Sequence, residues 1–181
     1  ANCGQTLRTG DFNTMIGIAA GNNGDDVDST VLIGYQAGAG QTMTSRADGM
    51  VAVGYYAGYN IKTGQYNTAI GYQALKTTTD TDQNTAVGYE TMMNASASAG
   101  NLRGTALGFR ALYTMTSGYA NTAIGAQSGL VLTTGGHNTL VGMNAGDAIT
   151  TASGSVYIGS GAGLSNTTGN QNIAIGYDAM G

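Results

Sequence analysis

The sequence predicts an all-β chain, a parallel β-solenoid of about ten coils that are 17 or 20 residues long. The first observation is a glycine that recurs ten times, always directly after an aliphatic residue. Seven of the nine steps between these glycines are 17 residues and two are 20, so one unit is repeated with two three-residue insertions. A short fixed period of this kind is typical of solenoids. The ten glycines are Gly17, Gly34, Gly54, Gly71, Gly88, Gly108, Gly125, Gly142, Gly159 and Gly176.

The three residues before each glycine are the predicted strand. The last of them is Ile, Val or Leu in every unit, and the first is Thr, Val or Ile, which are β-branched and suit a pleated surface. The middle residue is Ala in six units, and because side chains alternate along a strand, it shares its face with the glycine. We expect the aliphatic row to fill the interior of the solenoid. The bare Ala/Gly face is expected to allow close approach of another backbone.

The remaining part of each unit predicts turns. Six units begin with an asparagine, a residue that tolerates turn geometry and can form amide ladders between coils. The second half of the unit is polar and rich in Gly and Thr. At ~3.3 Å per residue, 17 residues extend to at most ~56 Å, which favours a narrow coil of two short strands and two turns. The six asparagines are Asn13, Asn67, Asn84, Asn121, Asn138 and Asn172.

Composition excludes several classes of protein. The 181 residues include 31 glycines and no proline, and only 9% are charged, which excludes a charge-rich disordered segment and suits continuous ladders. A net charge of −4 with six scattered cations argues against nucleic-acid binding. No run of eighteen apolar residues is present, so we expect no membrane insertion in this segment. We expect residues 1–181 to form a single repeat domain, beginning and ending inside a repeat of a longer fibre.

The repeated strand motif resembles a known family. Asn67-Thr68-Ala69-Ile70-Gly71, Asn84-Thr85-Ala86-Val87-Gly88 and Asn121-Thr122-Ala123-Ile124-Gly125 resemble the Asn-Ser-Val-Ala-Ile-Gly head repeat of YadA-like trimeric autotransporter adhesins. They are also similar to repeats of bacteriophage tail fibres. The longer unit, and the tyrosine that often follows the glycine, favour the phage fibre; the head domain of a bacterial adhesin is the alternative.

The resemblance implies a left-handed parallel β-roll, three chains of which pack side by side as a homotrimer. It implies an extracellular place on the virion surface or the bacterial cell surface. It also implies attachment to a host-surface glycan or protein receptor rather than catalysis.

Five aromatic residues occupy the position after the glycine in five successive units. With a rise of ~4.8 Å per coil they would form a ladder about 19 Å long. Exposed rings could stack against sugars and bind a receptor. Packing in the core or between the chains of the trimer is the favoured alternative, because the position shares a face with the aliphatic residue. The five residues are Tyr35, Tyr55, Tyr72, Tyr89 and Phe109.

The two insertions are the other candidate receptor contacts. They lie near residues 42–49 and 94–100, and we expect both to bulge outward, where loops carry specific contacts. The candidate residues there are Arg46, Asp48, Asn94 and Ser96.

No constellation of residues predicts a metal site, a cofactor or an enzyme. Asp25, Asp26 and Asp28 could offer oxygen ligands to calcium, but they lack the spacing of known calcium loops, and a solvated acidic loop is favoured. One histidine and one cysteine give too few ligands for zinc. The carboxylates that glycan hydrolysis would need are singletons in different units. These carboxylates are Asp11, Asp48, Glu90, Asp147 and Asp178.

An ice-binding solenoid is the rival from another class, since a flat row of threonines could order water. In the strand, however, threonine interchanges with Val and Ile, which suggests an inward or semi-buried row.

Overall fold

The computed structural model describes residues 2–44, 47–95 and 102–181. Each coil contributes one strand of three residues, and we number each coil by its strand. The strands are β1 Thr14–Ile16, β2 Val31–Ile33, β3 Val51–Val53, β4 Thr68–Ile70, β5 Thr85–Val87, β6 Thr105–Leu107, β7 Thr122–Ile124, β8 Thr139–Val141, β9 Val156–Ile158 and β10 Ile173–Ile175.

The ten strands form one parallel sheet in chain order, which confirms the predicted β-solenoid. Every strand pairs with the next in the same register, so that equivalent residues of successive units lie side by side. The register holds across both 20-residue steps, where Leu32 pairs with Ala52 and Ala86 with Ala106. The extra residues of these units are therefore accommodated outside the strands.

The expected second strand of each coil is absent from the described residues. The cause is backbone geometry, because the second and fourth residues after the recurring glycine have positive φ in every coil. In coil 4 these residues are Gln73, with φ of 56°, and Leu75, with φ of 50°. Left-handed residues cannot continue a pleated strand, so this half of the coil is a series of turns.

Glycine is required at the recurring position because its backbone contacts the next coil. The bare Ala/Gly face predicted from the sequence is not the reason. The φ of this glycine lies between 125° and 138° in all ten units, a region that is accessible essentially to glycine alone. In nine of the ten, an added Cβ would come within 3.0 Å of the carbonyl group of the next recurring glycine. Successive glycines thus stack backbone on backbone along the axis.

The strand faces are the reverse of those predicted. The middle residue of each strand points inward, and the described core contains Ala52, Ala69, Ala86, Ala106 and Ala123, all fully buried. The aliphatic residue before the glycine points outward and is exposed or half-buried in all ten strands. The interior of so short a coil is narrow, and it is filled by alanines from the strand and by larger side chains from the turns.

Buried asparagines join the coils, which confirms the predicted amide ladder. Asn67 Oδ1 accepts hydrogen bonds from the backbone N–H and the side-chain amide of Asn84, both at 3.0 Å. Asn121 makes the same pair of bonds with Asn138. Nδ2 of Asn67, Asn121 and Asn138 also donates to a backbone carbonyl, for example that of Thr81 at 2.7 Å from Asn67. Buried polar groups are thereby satisfied at every step where the asparagine recurs.

Candidate functional site: an aromatic ladder beside an apolar sheet face

The aromatic ladder, defined as Tyr35, Tyr55, Tyr72, Tyr89 and Phe109, is present as the sequence predicts. Each ring follows a stacked glycine, so the backbone fixes the separation of the rings. Successive ring centroids are 5.3, 5.2, 5.0 and 5.4 Å apart, and the interplanar angles are 5° to 15°. Rings at this distance and angle are stacked face to face along the solenoid axis.

The ladder lies on the surface of the chain, so the interpretation that places it in the core of the chain is wrong. Its five residues are 40% to 45% exposed. Burial is expected from the sequence because the rings share a face with the aliphatic row. The aliphatic row itself points outward, so the rings do too. Whether the ladder contacts other chains of a trimer or a receptor stays a prediction.

The geometry leaves no space for a sugar to stack between the inner rings of the ladder. Each face of Tyr55, Tyr72 and Tyr89 is covered by a neighbouring ring at 5.0 to 5.4 Å, which leaves no space for another ring between them. What the ladder offers to solvent is the ring edges and the phenol hydroxyls. Ring edges carry partial positive charge and hydroxyls donate hydrogen bonds, so this surface suits acceptor oxygens.

More aromatic rings line the lower part of the ladder. Tyr56 meets the edge of Tyr55 at a centroid distance of 4.4 Å, and Tyr59 packs edge to face on Tyr56 at 4.6 Å. Lys76 Nζ lies 5.4 Å from the centre of the Tyr56 ring, a cation–π contact. Desolvation in this cluster, together with the neighbouring phenols, raises the pKa of Tyr56 above its usual value.

An ion pair closes the upper end of the ladder. Arg110 Nε donates to Glu90 Oε2 at 2.7 Å, and the arginine also lies 5.2 Å from the ring centres of Phe109 and Tyr113. Hydrogen bonding with the Glu90 carboxylate raises the pKa of Tyr89. Glu90 is largely buried, so the sequence's candidate hydrolytic carboxylate is engaged by a guanidinium. The pair also connects coils 5 and 6 across a 20-residue step.

The first insertion contributes residues to the core, and of the second insertion the structure describes only residues 94 and 95, so the receptor contacts expected there stay a prediction. In the first insertion Met43 and Ala47 are fully buried, because the three extra residues are used partly to fill the core. Asp48 accepts a hydrogen bond from the backbone N–H of Asp28 at 2.8 Å, so its carboxylate holds two coils together. Asn94 is half-buried, with its N–H bonded to the carbonyl of Tyr113. Arg46 and Ser96 lie outside the described residues.

The acidic loop of coil 1, which contains Asp25, Asp26 and Asp28, also bonds to residues outside its own coil. Asp28 Oδ1 accepts from the N–H of Asp11 at 2.6 Å, Asp26 accepts from Thr9 Oγ1 at 2.8 Å, and Asp25 lies 3.4 Å from Arg8 Nε. Within the described residues no three His, Cys, Asp or Glu side chains converge on a position that could hold a metal ion. The loop's carboxylates act as side-chain acceptors for neighbouring coils.

The second surface feature is the outer sheet face, defined as the first and third residues of all ten strands. Its third-residue row is apolar throughout, and six of its members are 37% to 65% exposed. The first-residue row, expected to be inward or semi-buried, is half-buried in some strands and exposed in others. The six exposed aliphatic residues are Ile16, Ile70, Leu107, Ile124, Ile158 and Ile175.

Comparison with known proteins found no matching protein family, no matching curated protein and no matching solved structure. In the part of the chain that the structure describes, no helix has the length and apolar character needed to cross a membrane. Functional inference therefore rests on the two surfaces described above.

Proposed function

We propose that this chain is a structural and adhesive segment of an extracellular bacteriophage tail fibre, in which three copies pack side by side as a stiff spacer. The aliphatic row of the outer sheet face carries the proposal. It runs the whole length of the described sheet, nine steps of ~4.8 Å or about 43 Å. Continuous exposed apolar surface of this extent is typical of a protein interface.

Other copies of the same chain are the partners that fit such a face. The apolar row repeats once per coil, so a second chain with the same rise per coil can match it at every step. Closed symmetric assemblies are the common form of homo-oligomers. With three chains around one axis, each outer sheet face packs toward the axis and the turns face outward.

Stiffness follows from the way the coils are joined. The strands hydrogen-bond in register, the glycines stack, and backbone bonds such as Gly38 N–H to the carbonyl of Ala57 join the turns. A solenoid of this kind cannot bend without breaking several such contacts in one place. It therefore suits a spacer that holds a contact site at a fixed distance.

The mass of the particle in solution tests the trimer. Light scattering or native mass spectrometry should give three times the 18.2 kDa of the chain at micromolar concentration. A particle with the mass of one chain would overturn the proposal. An adhesin head would also be trimeric, so the mass does not distinguish an adhesin from a phage fibre. A membrane anchor in the flanking polypeptide would indicate an adhesin, and a virion attachment region would indicate a phage fibre.

A matched pair of variants tests which surface joins the chains. Ile124→Lys places a charge in the exposed aliphatic row and should give a folded monomer, because surface substitutions change stability by only about 0.5 kcal/mol. Thr116→Lys adds the same charge on an exposed turn of the preceding unit and should leave the mass unchanged. A trimeric Ile124→Lys variant would exclude the outer sheet face as the interface.

An ice-binding function is a second candidate, and one observation favours it. Five successive strands begin with threonine, and this row lies on the outer sheet face, where two of the five are exposed and three are half-buried. Ice binding and packing of the chains in a trimer would both use the outer sheet face. We expect no thermal hysteresis from the purified protein; a clear gap between melting and freezing points, together with a monomeric mass, would replace the fibre by an ice-binding solenoid. The five residues are Thr68, Thr85, Thr105, Thr122 and Thr139.

A further inference from the structure

The repeat distance of the aromatic ladder defines what can lie along it. Its ring centroids are 5.0 to 5.4 Å apart, which is about the length of one pyranose residue in an extended polysaccharide. The inner ring faces are covered, so a ligand must lie across the ring edges rather than between the rings. A linear polymer aligned with the solenoid axis meets an equivalent ring edge at each of its residues.

The chemistry along the ladder suits oxygen acceptors. Four of its five rings carry a phenol hydroxyl, and the amide of Gln73 lies beside it, with Nε2 3.2 Å from the hydroxyl of Tyr72. Ring edges add partial positive charge to these donors. The hydroxyl and ring oxygens of a sugar, or a carboxylate on it, are the complementary groups.

The charged side chain beside the ladder that forms no ion pair within the described residues is a cation, Lys76, although the chain as a whole is negative. Within the five residues that follow the glycine in coils 2 to 6, the charged side chains are Lys76, Glu90 and Arg110, a local sum of +1 in a chain of net charge −4. Glu90 is paired with Arg110, whereas Lys76 makes no ion pair in the described part of the chain. The carboxylates of Asp48 and Asp82 are bonded to backbone N–H groups before the strands.

We propose that the aromatic ladder binds a linear acidic polysaccharide along the fibre axis, with one sugar residue per coil. The phenol hydroxyls donate to sugar oxygens, and Lys76 attracts the carboxylates of the polymer. This inference rests on the proposed fibre function and names the class of its receptor. The site is complete within one chain, so its occupancy and the trimer can be measured separately.

Two oligosaccharides that differ only in charge test the ligand class. β-1,4-linked mannuronate hexamer should bind the full chain in calorimetry and change its tyrosine fluorescence, with affinity falling as salt is raised. β-1,4-linked mannohexaose, the same sugar without the carboxylates, should bind at least about tenfold more weakly, since the charge-assisted bonds are lost. Failure of the mannuronate hexamer to bind, or equal affinity for both, would overturn the proposal.

Paired variants locate the site. Tyr72→Phe keeps the stacked ring and removes one donor, so affinity for the mannuronate hexamer should fall about three- to tenfold. Tyr177→Phe makes the same change at the equivalent position of coil 10, outside the ladder, and should have no effect. Lys76→Gln should weaken binding and reduce its salt dependence, and Lys62→Gln, on an exposed turn, should do neither. Unchanged affinity in both Tyr72→Phe and Lys76→Gln would contradict the site.

Mass measurements on the same samples separate this inference from the fibre proposal. A trimeric mass without mannuronate binding would overturn the ladder inference alone. A monomeric mass would overturn the fibre proposal whatever binds. Conversion of the trimer to a monomer by Tyr72→Phe would show that the ladder joins the chains, and it would also overturn the inference.

Discussion

Coils 4 to 6 and coils 8 and 9 fill the same backbone in opposite ways. In coils 4 to 6 the inward strand residue is alanine, and a large residue from the turn, such as Leu75 in coil 4, fills the interior. In coils 8 and 9 the inward strand residues are Leu140 and Tyr157, and the equivalent turn residues are Gly146 and Gly163. An added Cβ at Gly163 would come within 3.0 Å of the Tyr157 ring. In these five coils a small residue at one of the two positions accompanies a large residue at the other, whereas coil 3, with Ala52 and Gly58, is small at both.

The part of the chain that contains coils 4 to 6 also differs on its surface from the part that contains coils 8 and 9. Coils 2 to 6 carry the aromatic ladder, whereas coils 7 to 9 have Ala126, Met143 and Ser160 at the position after the glycine. Both 20-residue steps lie in the region that carries the ladder. The same backbone therefore accommodates very different side chains in the core and on the surface, while the glycine stack is kept. Four predictions test whether the glycine stack is fixed while the side chains inside and outside the coils can vary.

The largest effect should come from the glycine stack that both regions share. Gly142→Ala places a Cβ against the carbonyl of Gly159 at a φ of 135°, and should cost about 4 kcal/mol or more in the free energy of unfolding. Gly176→Ala imposes a similar φ of 125° where nothing lies within 4 Å, and should cost only about 1–3 kcal/mol. Urea unfolding followed by circular dichroism measures both. Equal costs would mean that backbone strain, not stacking, fixes the glycine.

Moving the large core residue from the turn to the strand should have the second largest effect on the free energy of unfolding. Leu75→Gly in coil 4 should cost about 2–5 kcal/mol because it leaves a cavity. Adding Ala69→Leu, which copies the pair found in coil 8, should restore stability to within about 1.5 kcal/mol of the parent. Unfolding of the two single variants and the double variant gives the coupling energy. Additive losses would contradict the idea that strand and turn residues share one volume.

Breaking the ladder should have a moderate effect on stability. Tyr72→Leu keeps an apolar side chain but removes two stacked contacts, and should cost about 1 kcal/mol, the usual worth of aromatic pairing. Tyr177→Leu, outside the ladder, should change the melting temperature little. The near-ultraviolet circular dichroism of coupled tyrosines should fall in the first variant only. An unchanged spectrum would mean that the rings are not stacked in solution.

The smallest effect should come from a carboxylate in coil 8. Partial burial raises the pKa of Asp147 above its ordinary value of 3.8, so ionisation is less favourable in the folded chain. The stability that depends on its proton is present below pH 3.8 and is lost as pH rises through the raised value. Asp147→Asn should therefore stabilise the chain at pH 7 by well under about 1 kcal/mol, because the group is mostly solvated. The gain should vanish in acid, and Asp178→Asn, which is exposed, should give none.

The sequence was sufficient for the repeat, the strands, their order and the stacked rings, because each depends on spacing alone. It did not reveal which strand face is inward. Alternation defines two faces, and the rule that aliphatic residues are buried assigned the wrong one, since the coil is too narrow for an Ile at every step. The opposite variation of Ala69 with Leu75 and of Leu140 with Gly146 was the signal that could have identified the interior. The second strand was wrongly expected because the left-handed residue two positions after the recurring glycine, such as Gln36 or Tyr56, is glycine only in coil 9, so little in the sequence marks this backbone geometry.

The glycine stack has a consequence for how such a chain can change length. Each coil contacts its neighbours through backbone atoms whose arrangement repeats from unit to unit, so a duplicated or deleted 17-residue unit leaves the same contacts on both sides of the junction. Each added unit extends the sheet by ~4.8 Å without altering the outer face or the interior of existing coils. Duplication or deletion of a unit therefore keeps the glycine stack and changes the length of the solenoid in single-coil increments.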